Sequence, residues 1–362
     1  MTTLAPAAAP ARRAGAFHAL TVAAVDRLCE DAAAITFAVP AELREAYAFR
    51  AGQSLTLRRF VDGREERRSY SICAPAGEAP RIGVREIPGG LFSSWLVNEV
   101  APGTRIEVQT PTGSWQADPA TGERHLCVAA GSGITPMLSV ASTVLSHPGA
   151  QVTLLYGNRT SRTVMFTEEL GDLKNRYGPR LQLVHVLSRE PRDAELFSGR
   201  LDRDRLTRLL TGLVPAEVFD HVWLCGPLQM VEDARAVLAD LAVPAQVHVE
   251  LFYVDAPPPQ PRRDDDTVTG ATTELTVVLD GLRTTSRVSR ETTVLEGAQR
   301  TRADLPFACK GGVCGTCRAR VSEGEADMRR NYALEPSEVD AGFVLTCQSF
   351  PTGDAVTVDY DA

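Results

Sequence analysis

The stretch Cys309-Lys-Gly-Gly-Val-Cys314-Gly-Thr-Cys317 places three cysteines in one short loop, and a fourth cysteine, Cys347, follows at a distance. A C-x4-C-x2-C spacing with a remote fourth cysteine is the ligand pattern of plant-type [2Fe–2S] clusters. The glycines between the cysteines let the backbone wrap tightly around a cluster, and their N–H groups can point at its sulfur atoms. We therefore expect these four cysteines to hold a [2Fe–2S] cluster.

Two other interpretations of the cysteines stay open at this point. Four cysteines can bind one zinc ion, but zinc sites usually combine two short cysteine pairs, and Cys347 has no cysteine close to it in sequence. The four residues can also be unrelated buried thiols, which is the ordinary state of a free cysteine.

Size and composition limit what the rest of the chain can be. A length of 362 residues predicts two or three domains, and a net charge of −8 argues against a nucleic-acid partner. No stretch has the apolar length needed to span a membrane, and the N-terminus lacks the apolar core of a signal peptide. Eight cysteines without an export signal predict a reducing, cytoplasmic location.

The hydrophobic pattern divides the chain into three folded units. Residues 16–119 contain short β-branched runs separated by Gly and Pro, which predicts an antiparallel β-barrel. Residues 120–255 alternate strand and helix patterns, which predicts a doubly wound parallel α/β sheet. Residues 273–362 have mixed strands around one helix, as in a β-grasp ferredoxin. The Ala/Pro-rich residues 1–15 predict a disordered tail, and the Pro- and charge-rich residues 256–272 predict a linker.

A flavin site is suggested by two motifs in the first unit. In Arg68-Ser-Tyr70-Ser71, an arginine suits a pyrophosphate, an aromatic ring can stack on an isoalloxazine, and a hydroxyl can bond a flavin nitrogen. Alone, this motif of four common residues fits a surface arginine beside a half-buried tyrosine better than a flavin site. The glycine-rich turn that contains Gly90 and leads into a helix at Ser93 adds weight, because such turns bind phosphates.

The second unit carries a nucleotide-binding pattern at its first strand. Gly131-Ser-Gly133-Ile-Thr135-Pro136 follows that strand and opens a helix, so that a dinucleotide pyrophosphate can approach the helix N-terminus closely. The pattern departs from G-x-G-x-x-G, and by itself it is a weak signal.

A second nucleotide signal lies at the end of a later strand. Cys225-Gly226-Pro227 stands where ligands gather in open α/β sheets. Spacing alone favours a buried thiol at a strand end for Cys225.

The adenosine end of the nucleotide is marked by arginines. Arg159 follows the second parallel strand, and Ser188-Arg189 follows the third, while no acidic residue stands at the end of the second strand for a ribose hydroxyl. Arginines there favour a 2′-phosphate, and hence NADPH, although NADH stays possible.

The order of these motifs resembles the ferredoxin–NADP reductase superfamily, in the branch with a C-terminal plant-type ferredoxin. The resemblance covers nearly the whole chain after Phe17 and implies FAD, NAD(P)H and a [2Fe–2S] cluster. The segment Glu250-Leu-Phe252 resembles the one that ends the reductase module beside the flavin. Together, motifs and resemblance predict catalytic roles for Tyr70, Ser71 and Cys225, and cofactor contacts from Arg68, Tyr70, Ser71, Gly90, Ser93, Gly131, Gly133, Thr135, Pro136, Arg159, Ser188, Arg189, Gly226, Pro227 and Phe252.

Within that branch, the segments around the cluster cysteines resemble the reductase subunits of phenylacetyl-CoA epoxidase, a multicomponent di-iron monooxygenase of phenylacetate catabolism. Reductases of 3-ketosteroid 9α-hydroxylase and of other ring hydroxylases are near relatives. NADPH gives two electrons and a cluster accepts one, so a flavin must stand between them. The chain has neither a Rieske pattern nor an E-x-x-H di-iron motif.

We therefore expect a reductase that passes electrons one at a time to oxygenase subunits on other chains. Two alternatives come from different classes of protein. One is a stand-alone diaphorase, and the other is a passive iron–sulfur carrier whose α/β domain binds no nucleotide.

Overall fold

The computed structural model describes residues 16–61, 63–113, 115, 117, 123–214, 218–253, 270–302, 304–334 and 336–362. The predicted tail, residues 1–15, and most of the predicted linker, residues 256–272, lie outside the described residues. None of the helices within those described ranges combines the length and the apolar character that crossing a membrane requires.

The first unit is an antiparallel barrel. Its strands and helix are β1 Phe17–Cys29, β2 Ala32–Ala38, β3 Ser54–Val61, β4 Arg64–Ser71, β5 Arg81–Arg85, α1 Ser93–Asn98 and β6 Arg105–Gln109. The six strands follow the order β4-β3-β6-β1-β2-β5, and a bridge between Ile72 and Ile82 joins the two ends of the sheet. Alternation directs Leu55 and Leu57 of β3 into the fully buried barrel core. The predicted barrel is thereby confirmed.

The second unit is a parallel sheet with helices on its faces. Its elements are β7 Arg124–Ala130, α2 Ile134–Val144, β8 Gln151–Asn158, α3 Thr167–Tyr177, β9 Leu181–Leu187, α4 Arg203–Arg208 with a π-turn at Leu209–Leu213, β10 His221–Pro227, α5 Leu228–Asp240 and β11 Gln246–Tyr253. The strand order is β11-β10-β7-β8-β9, and every pairing is parallel. The chain order reverses between β7 and β10, and ligands bind at such a switch point in open α/β sheets.

The third unit is a mixed sheet around one helix. Its elements are β12 Thr272–Leu279, β13 Leu282–Ser289, α6 Val294–Gln299, β14 Arg318–Met328, α7 Pro336–Asp340, β15 Phe343–Leu345 and β16 Ser349–Asp359. The strand order is β13-β12-β16-β14-β15, with β12 and β16 parallel and the other pairs antiparallel. This arrangement is the predicted β-grasp ferredoxin.

The barrel and the parallel sheet are joined by close packing and by hydrogen bonds. The hydroxyl of Ser139 on α2 donates to the carbonyl of Ala74 at 2.6 Å, just after β4. A Cβ added at Gly83 on β5 would lie 2.7 Å from the ring of Phe166 and 2.7 Å from the methyl group of Thr135. The absence of a side chain at Gly83 therefore lets the second unit approach the barrel directly.

We predict that Gly83→Ala destabilises the contact between barrel and sheet, because the new methyl group meets the buried side chains of Phe166 and Thr135 in a packed interface. Overpacking of this kind costs about 1–3 kcal/mol of unfolding free energy. Thermal denaturation of the holoprotein, with flavin release followed in parallel, measures the effect.

The matched control is Gly171→Ala, since Gly171 lies in α3 and a Cβ there would have open space around it. Alanine favours helix by up to about 1 kcal/mol over glycine, so the melting temperature should stay equal or rise. Equal melting temperatures for the two variants would contradict the packing argument.

Candidate functional site

The four cluster cysteines meet in two pairs. The thiol of Cys309 is hydrogen-bonded to that of Cys314, and the thiol of Cys317 to that of Cys347. The backbone N–H of Gly311 donates to Cys309 Sγ at 3.3 Å. The hydrogen bond from Cys314, with help from backbone N–H groups, lowers the pKa of Cys309 to about 5 despite its burial. The same hydrogen bond raises the pKa of Cys314, so within this pair Cys309 is the cysteine that favours thiolate, the form that binds iron.

Pairing of the thiols bears on the choice between iron and zinc. A [2Fe–2S] cluster uses two cysteines per iron, whereas a structural zinc ion needs four ligands around one point. Lys310, Gly312 and Gly315 have φ values of 51°, 81° and 65°, so the loop wraps back on itself as cluster binding requires. The residues therefore fit a [2Fe–2S] cluster.

The barrel and the parallel sheet meet at a polar contact between Ser71 and Glu250. Ser71 ends β4, and its hydroxyl donates to Glu250 Oε2 at 3.1 Å. Glu250 lies on β11 in register with Cys225 on the neighbouring β10. Desolvation raises the pKa of Glu250 to about 7, partly offset by the Ser71 hydrogen bond, and burial raises the pKa of Cys225 well above its ordinary value.

The two nucleotide-binding turns touch each other at the switch point. A Cβ added at Gly133 would lie 2.1 Å from the carbonyl oxygen of Cys225, and one added at Gly226 would lie 3.3 Å from the Cβ and from the backbone nitrogen of Ala130 at the end of β7. These contacts join the ends of β7 and β10, where the sequence places the nicotinamide end of the nucleotide. The glycines are required by this close approach, whatever binds above them.

Other predicted residues of the second unit have structural contacts of their own. The Thr135 hydroxyl donates to the carbonyl of Ser132 at 3.0 Å and is 1% exposed, and Pro136 is buried in the first turn of α2. Gly131 has a φ of 56°, and its carbonyl accepts from Tyr156 at 3.0 Å. Pro227 is exposed at the end of β10, and Phe252 packs, half-buried, against the core of the sheet.

The predicted flavin residues of the barrel lie together near α1. Tyr70 is half-buried, and its ring centroid lies 6.3 Å from that of Phe92. Arg68 pairs with Glu66 at 3.0 Å and stays 42% exposed. The hydroxyl of Ser93 accepts from the N–H of Ile87 at 3.0 Å, and this bond fixes the turn that contains Gly90. Ser93 therefore shapes the turn through its side chain.

The predicted adenosine residues gather at the ends of β8 and β9. The N–H groups of Ser188 and Arg189 donate to the carbonyls of Asn158 and Arg159 at 2.9 and 2.8 Å, and the Arg189 side chain is exposed. Arg159 itself pairs with Asp31 of the barrel at 2.5 Å. Glu190 accepts from the N–H and the hydroxyl of Ser161 at 2.8 and 2.9 Å, which lowers the pKa of Glu190.

Two acidic residues of the site were missed by sequence reasoning as functional residues. Glu250 was noted only as part of a segment, and Glu190 was not singled out. The pattern of β11 gives no sign that Glu250 meets Ser71, because the two are 179 positions apart. For Glu190, the signal was available, since it directly follows Ser188-Arg189.

Fold and site define a class of protein: oxidoreductases that combine a flavin, a nicotinamide nucleotide and an iron–sulfur cluster. Residues 19–117 match the oxidoreductase FAD-binding domain family, residues 127–236 the oxidoreductase NAD-binding domain family, and residues 277–352 the 2Fe-2S iron-sulfur cluster binding domain family. The chain belongs to the ferredoxin reductase superfamily, in the branch with a C-terminal [2Fe–2S] domain. Domain boundaries at residues 119/120, 255/256 and 272/273 stay predictions.

Similar proteins cover nearly the full length of the chain. One component of the 1,2-phenylacetyl-CoA epoxidase from Escherichia coli K12 is 43% identical over 96% of this chain and 98% of that protein. The ferredoxin reductase component of 3-ketosteroid-9-alpha-monooxygenase from Rhodococcus rhodochrous is 33% identical over 94% and 96%. The solved structure of phthalate dioxygenase reductase, at 23% identity, has the same fold, with a TM-score of 0.60 over 95% of this chain and 98% of that one.

We predict that stability depends on pH through Glu250. Its pKa of about 7 lies above the value of 4.5 for an unperturbed carboxyl, so the folded state holds the proton more tightly. The unfolding free energy should then fall as the pH rises from about 5 to 8, by up to about 3 kcal/mol. Glu250→Gln removes this loss, and thermal denaturation at both pH values measures it.

The variant should match the wild-type protein near pH 5 and exceed it near pH 8. Ser71→Ala provides the second arm, since the Ser71 hydroxyl lowers the pKa of Glu250 and its removal should shift the transition to higher pH. A difference between Glu250→Gln and wild type that is the same at every pH would show that this carboxyl is not held neutral.

Proposed function

We propose that this chain is the NADPH-dependent reductase component of a multicomponent oxygenase, and that its partner is the di-iron phenylacetyl-CoA epoxidase. FAD accepts two electrons from the nucleotide and releases them singly, and the cluster carries one at a time. The observation that carries the proposal is the end-to-end similarity to an epoxidase component at 43% identity, with all three cofactor domains aligned. The four other cysteines, Cys29, Cys73, Cys127 and Cys225, are free thiols, which suits a reducing, cytoplasmic location.

The alternative partner is the oxygenase of 3-ketosteroid 9α-hydroxylase or of another ring hydroxylase. The Rhodococcus relative supports it, at 33% identity over a similar length. The higher identity of the epoxidase component favours the epoxidase, because both comparisons cover at least 94% of this chain.

Each predicted residue of the site has a role in this function. Tyr70 and Arg68 bind the flavin ring and its phosphate, on the face of β4 that points toward the Gly90 turn. Ser71 and Glu250 keep a proton between their oxygen atoms at the junction of the flavin and nucleotide domains. Cys225 is fully buried, and burial raises its pKa, so the thiol stays neutral. It lines the nucleotide-domain side of the junction without adding charge.

We predict that Cys347→Ser separates the two halves of the electron path. Iron should be lost, because one iron loses one of its two cysteines, while the flavin should stay bound in the barrel. NADPH-driven reduction of ferricyanide, which accepts electrons directly from flavins, should stay within about twofold, and reduction of purified epoxidase catalytic subunits should be abolished.

Cys29→Ser is the matched control, since Cys29 is half-buried at the end of β1, far in sequence from the cluster loop. It should keep its iron and its activity toward the oxygenase. Faster coupled turnover with a ketosteroid oxygenase than with the epoxidase would favour the alternative partner. An NADPH turnover that is the same with and without an oxygenase would indicate a stand-alone diaphorase.

The preference for NADPH rests on the charges at the ends of β8 and β9. Arg189 is exposed beside Ser188 and is available for a 2′-phosphate. Glu190 already occupies the Ser161 N–H and hydroxyl, which are donors of the kind that a phosphate would use. The carboxylate therefore competes with the phosphate for the same donors.

We predict opposite effects of two neighbouring substitutions on the KM for NADPH. Arg189→Ala should raise it roughly 10-fold, because the phosphate loses a charge-assisted hydrogen bond, and Glu190→Gln should lower it several-fold, because the competing negative charge is gone. The KM for NADH should stay unchanged in both variants. Arg176→Ala, an exposed arginine on α3, is the control. Parallel changes for both nucleotides would contradict the assignment.

A further inference from the structure

Arg67 lies beside the proposed flavin residues but points the other way. Alternation along β4 separates it from Arg68 and Tyr70, and its side chain is only 3% exposed. Its guanidinium forms an ion pair with Glu65 of the same strand. It also reaches out of the barrel, since Nη1 donates to the carbonyl of Leu305 in the iron–sulfur domain at 2.9 Å.

The guanidinium is also stacked between rings of two domains. Its carbon lies 4.4 Å from the ring centroid of Phe307 and 5.0 Å from that of Phe17. Phe307 is itself 4% exposed, and Lys310 Nζ lies 4.8 Å from its centroid. A cation held over an aromatic face is stabilised most when it is desolvated, as Arg67 is.

The contacted segment leads directly into the cluster loop. Phe307 stands two positions before Cys309, and the chain from Leu305 to Cys309 is fixed at its start by Arg67. The loop has a second attachment further along, because Val313 packs into the apolar cluster of the nucleotide domain, with Cys309 and Tyr332 beside it. The loop is thus held by the barrel at one end and by the parallel sheet at the other.

We propose that Arg67 is a positioning residue that locks the iron–sulfur domain against the flavin barrel in the arrangement that permits electron transfer between the two cofactors. This inference rests on the proposed function. In the step concerned, one electron leaves the reduced flavin and enters the oxidised cluster, no bond forms or breaks, and NADPH is the source of the electrons. Arg67 acts on the geometry of that step through Leu305 and Phe307.

A nearby arginine provides a matched control. Arg58 on β3 also lies over Phe17, at 4.2 Å, and pairs with Glu65 at 3.7 Å and Glu107 at 2.9 Å. In the part of the chain that the structure describes, these ring and charge contacts of Arg58 are all made inside the barrel. Arg58→Met therefore removes a similar cation from the ring of Phe17 while leaving the domain contact through Phe307 in place.

The test uses holoprotein with Arg67→Met, Arg67→Lys and Arg58→Met. Anaerobic stopped-flow mixing with NADPH follows flavin reduction and cluster reduction separately. We expect flavin reduction at the wild-type rate in all variants, and cluster reduction about 10-fold slower or more in Arg67→Met, since losing a buried charged hydrogen bond and a cation–π contact lowers the docked population by that order. The rate of cluster reduction in Arg67→Lys should lie between those of wild type and Arg67→Met, because lysine keeps the charge but lacks the planar guanidinium.

Two further measurements separate docking from other effects. Small-angle scattering should give a larger radius of gyration for Arg67→Met than for wild type and Arg58→Met. Cluster reduction should become slower with rising solvent viscosity in Arg67→Met alone, since domain motion then limits the rate. Should Arg67→Met fail to fold, Phe307→Leu removes the ring on the other side of the same contact and should give the same phenotype.

Wild-type cluster reduction in Arg67→Met would overturn the proposal, and so would a loss of rate explained by a lower cluster potential or by lost flavin. Equal effects of Arg67→Met and Arg58→Met would also overturn it, because the barrel alone would then be responsible. Failure of the proposed function gives a different result. In that case NADPH does not reduce the wild-type cluster, whereas the scattering comparison still reports whether Arg67 holds the domains together.

Discussion

Side-chain alternation along the single strand β4 places three domains in contact. Tyr70 packs against Phe92 beside the Gly90 turn of the barrel, Arg67 contacts the iron–sulfur domain, and Ser71 reaches Glu250 of the nucleotide domain. A shift of one residue in the pairing of β3 with β4 would reverse every one of these directions. The register is fixed by the buried leucines of β3, so the hydrophobic core of the barrel also determines how the cofactor domains meet.

The surroundings of Arg67 and of Glu250 affect the ionisation of these two side chains differently. Arg67 loses hydration, but it gains the carboxylate of Glu65 and the Leu305 carbonyl, and a guanidinium stays charged under such conditions. Glu250 loses hydration beside a hydroxyl, which offsets little of the cost, and its pKa rises to about 7. The contact between the barrel and the iron–sulfur domain therefore contains the fixed positive charge of Arg67. The contact between the barrel and the nucleotide domain contains Glu250, which can hold or release a proton near neutral pH.

Local patterns were sufficient to predict the fold of each unit, and they also generate the prediction that Cys309, Cys314, Cys317 and Cys347 hold the cluster. The C-x4-C-x2-C loop and the glycine turns are local, because their backbone must wrap or approach closely wherever they occur. Contacts between units were not predictable in the same way. Arg67 and Leu305 are 238 positions apart, and their meeting depends on how separately folded units dock. The same limit applies to His125 and His248, which stack against Trp223 because the crossovers of the parallel sheet, and no spacing in the sequence, place their strands on either side of β10.

Arg159 illustrates how one residue can be needed by two functions. Desolvation opposes ionisation of Asp31, yet Arg85 and Arg159 together lower its pKa, so Asp31 is a charged link between barrel and nucleotide domain. If Arg159 turned toward a 2′-phosphate, Asp31 would keep Arg85 and the Cys29 thiol, and the domain contact would lose part of its stabilisation. Phosphate binding by Arg189 would not weaken the Asp31 contact, because the exposed side chain of Arg189 lies at the adjacent strand end. Arg189 is therefore the better candidate to bind the 2′-phosphate of the proposed NADPH, while Arg159 stays paired with Asp31 at the interface between barrel and nucleotide domain.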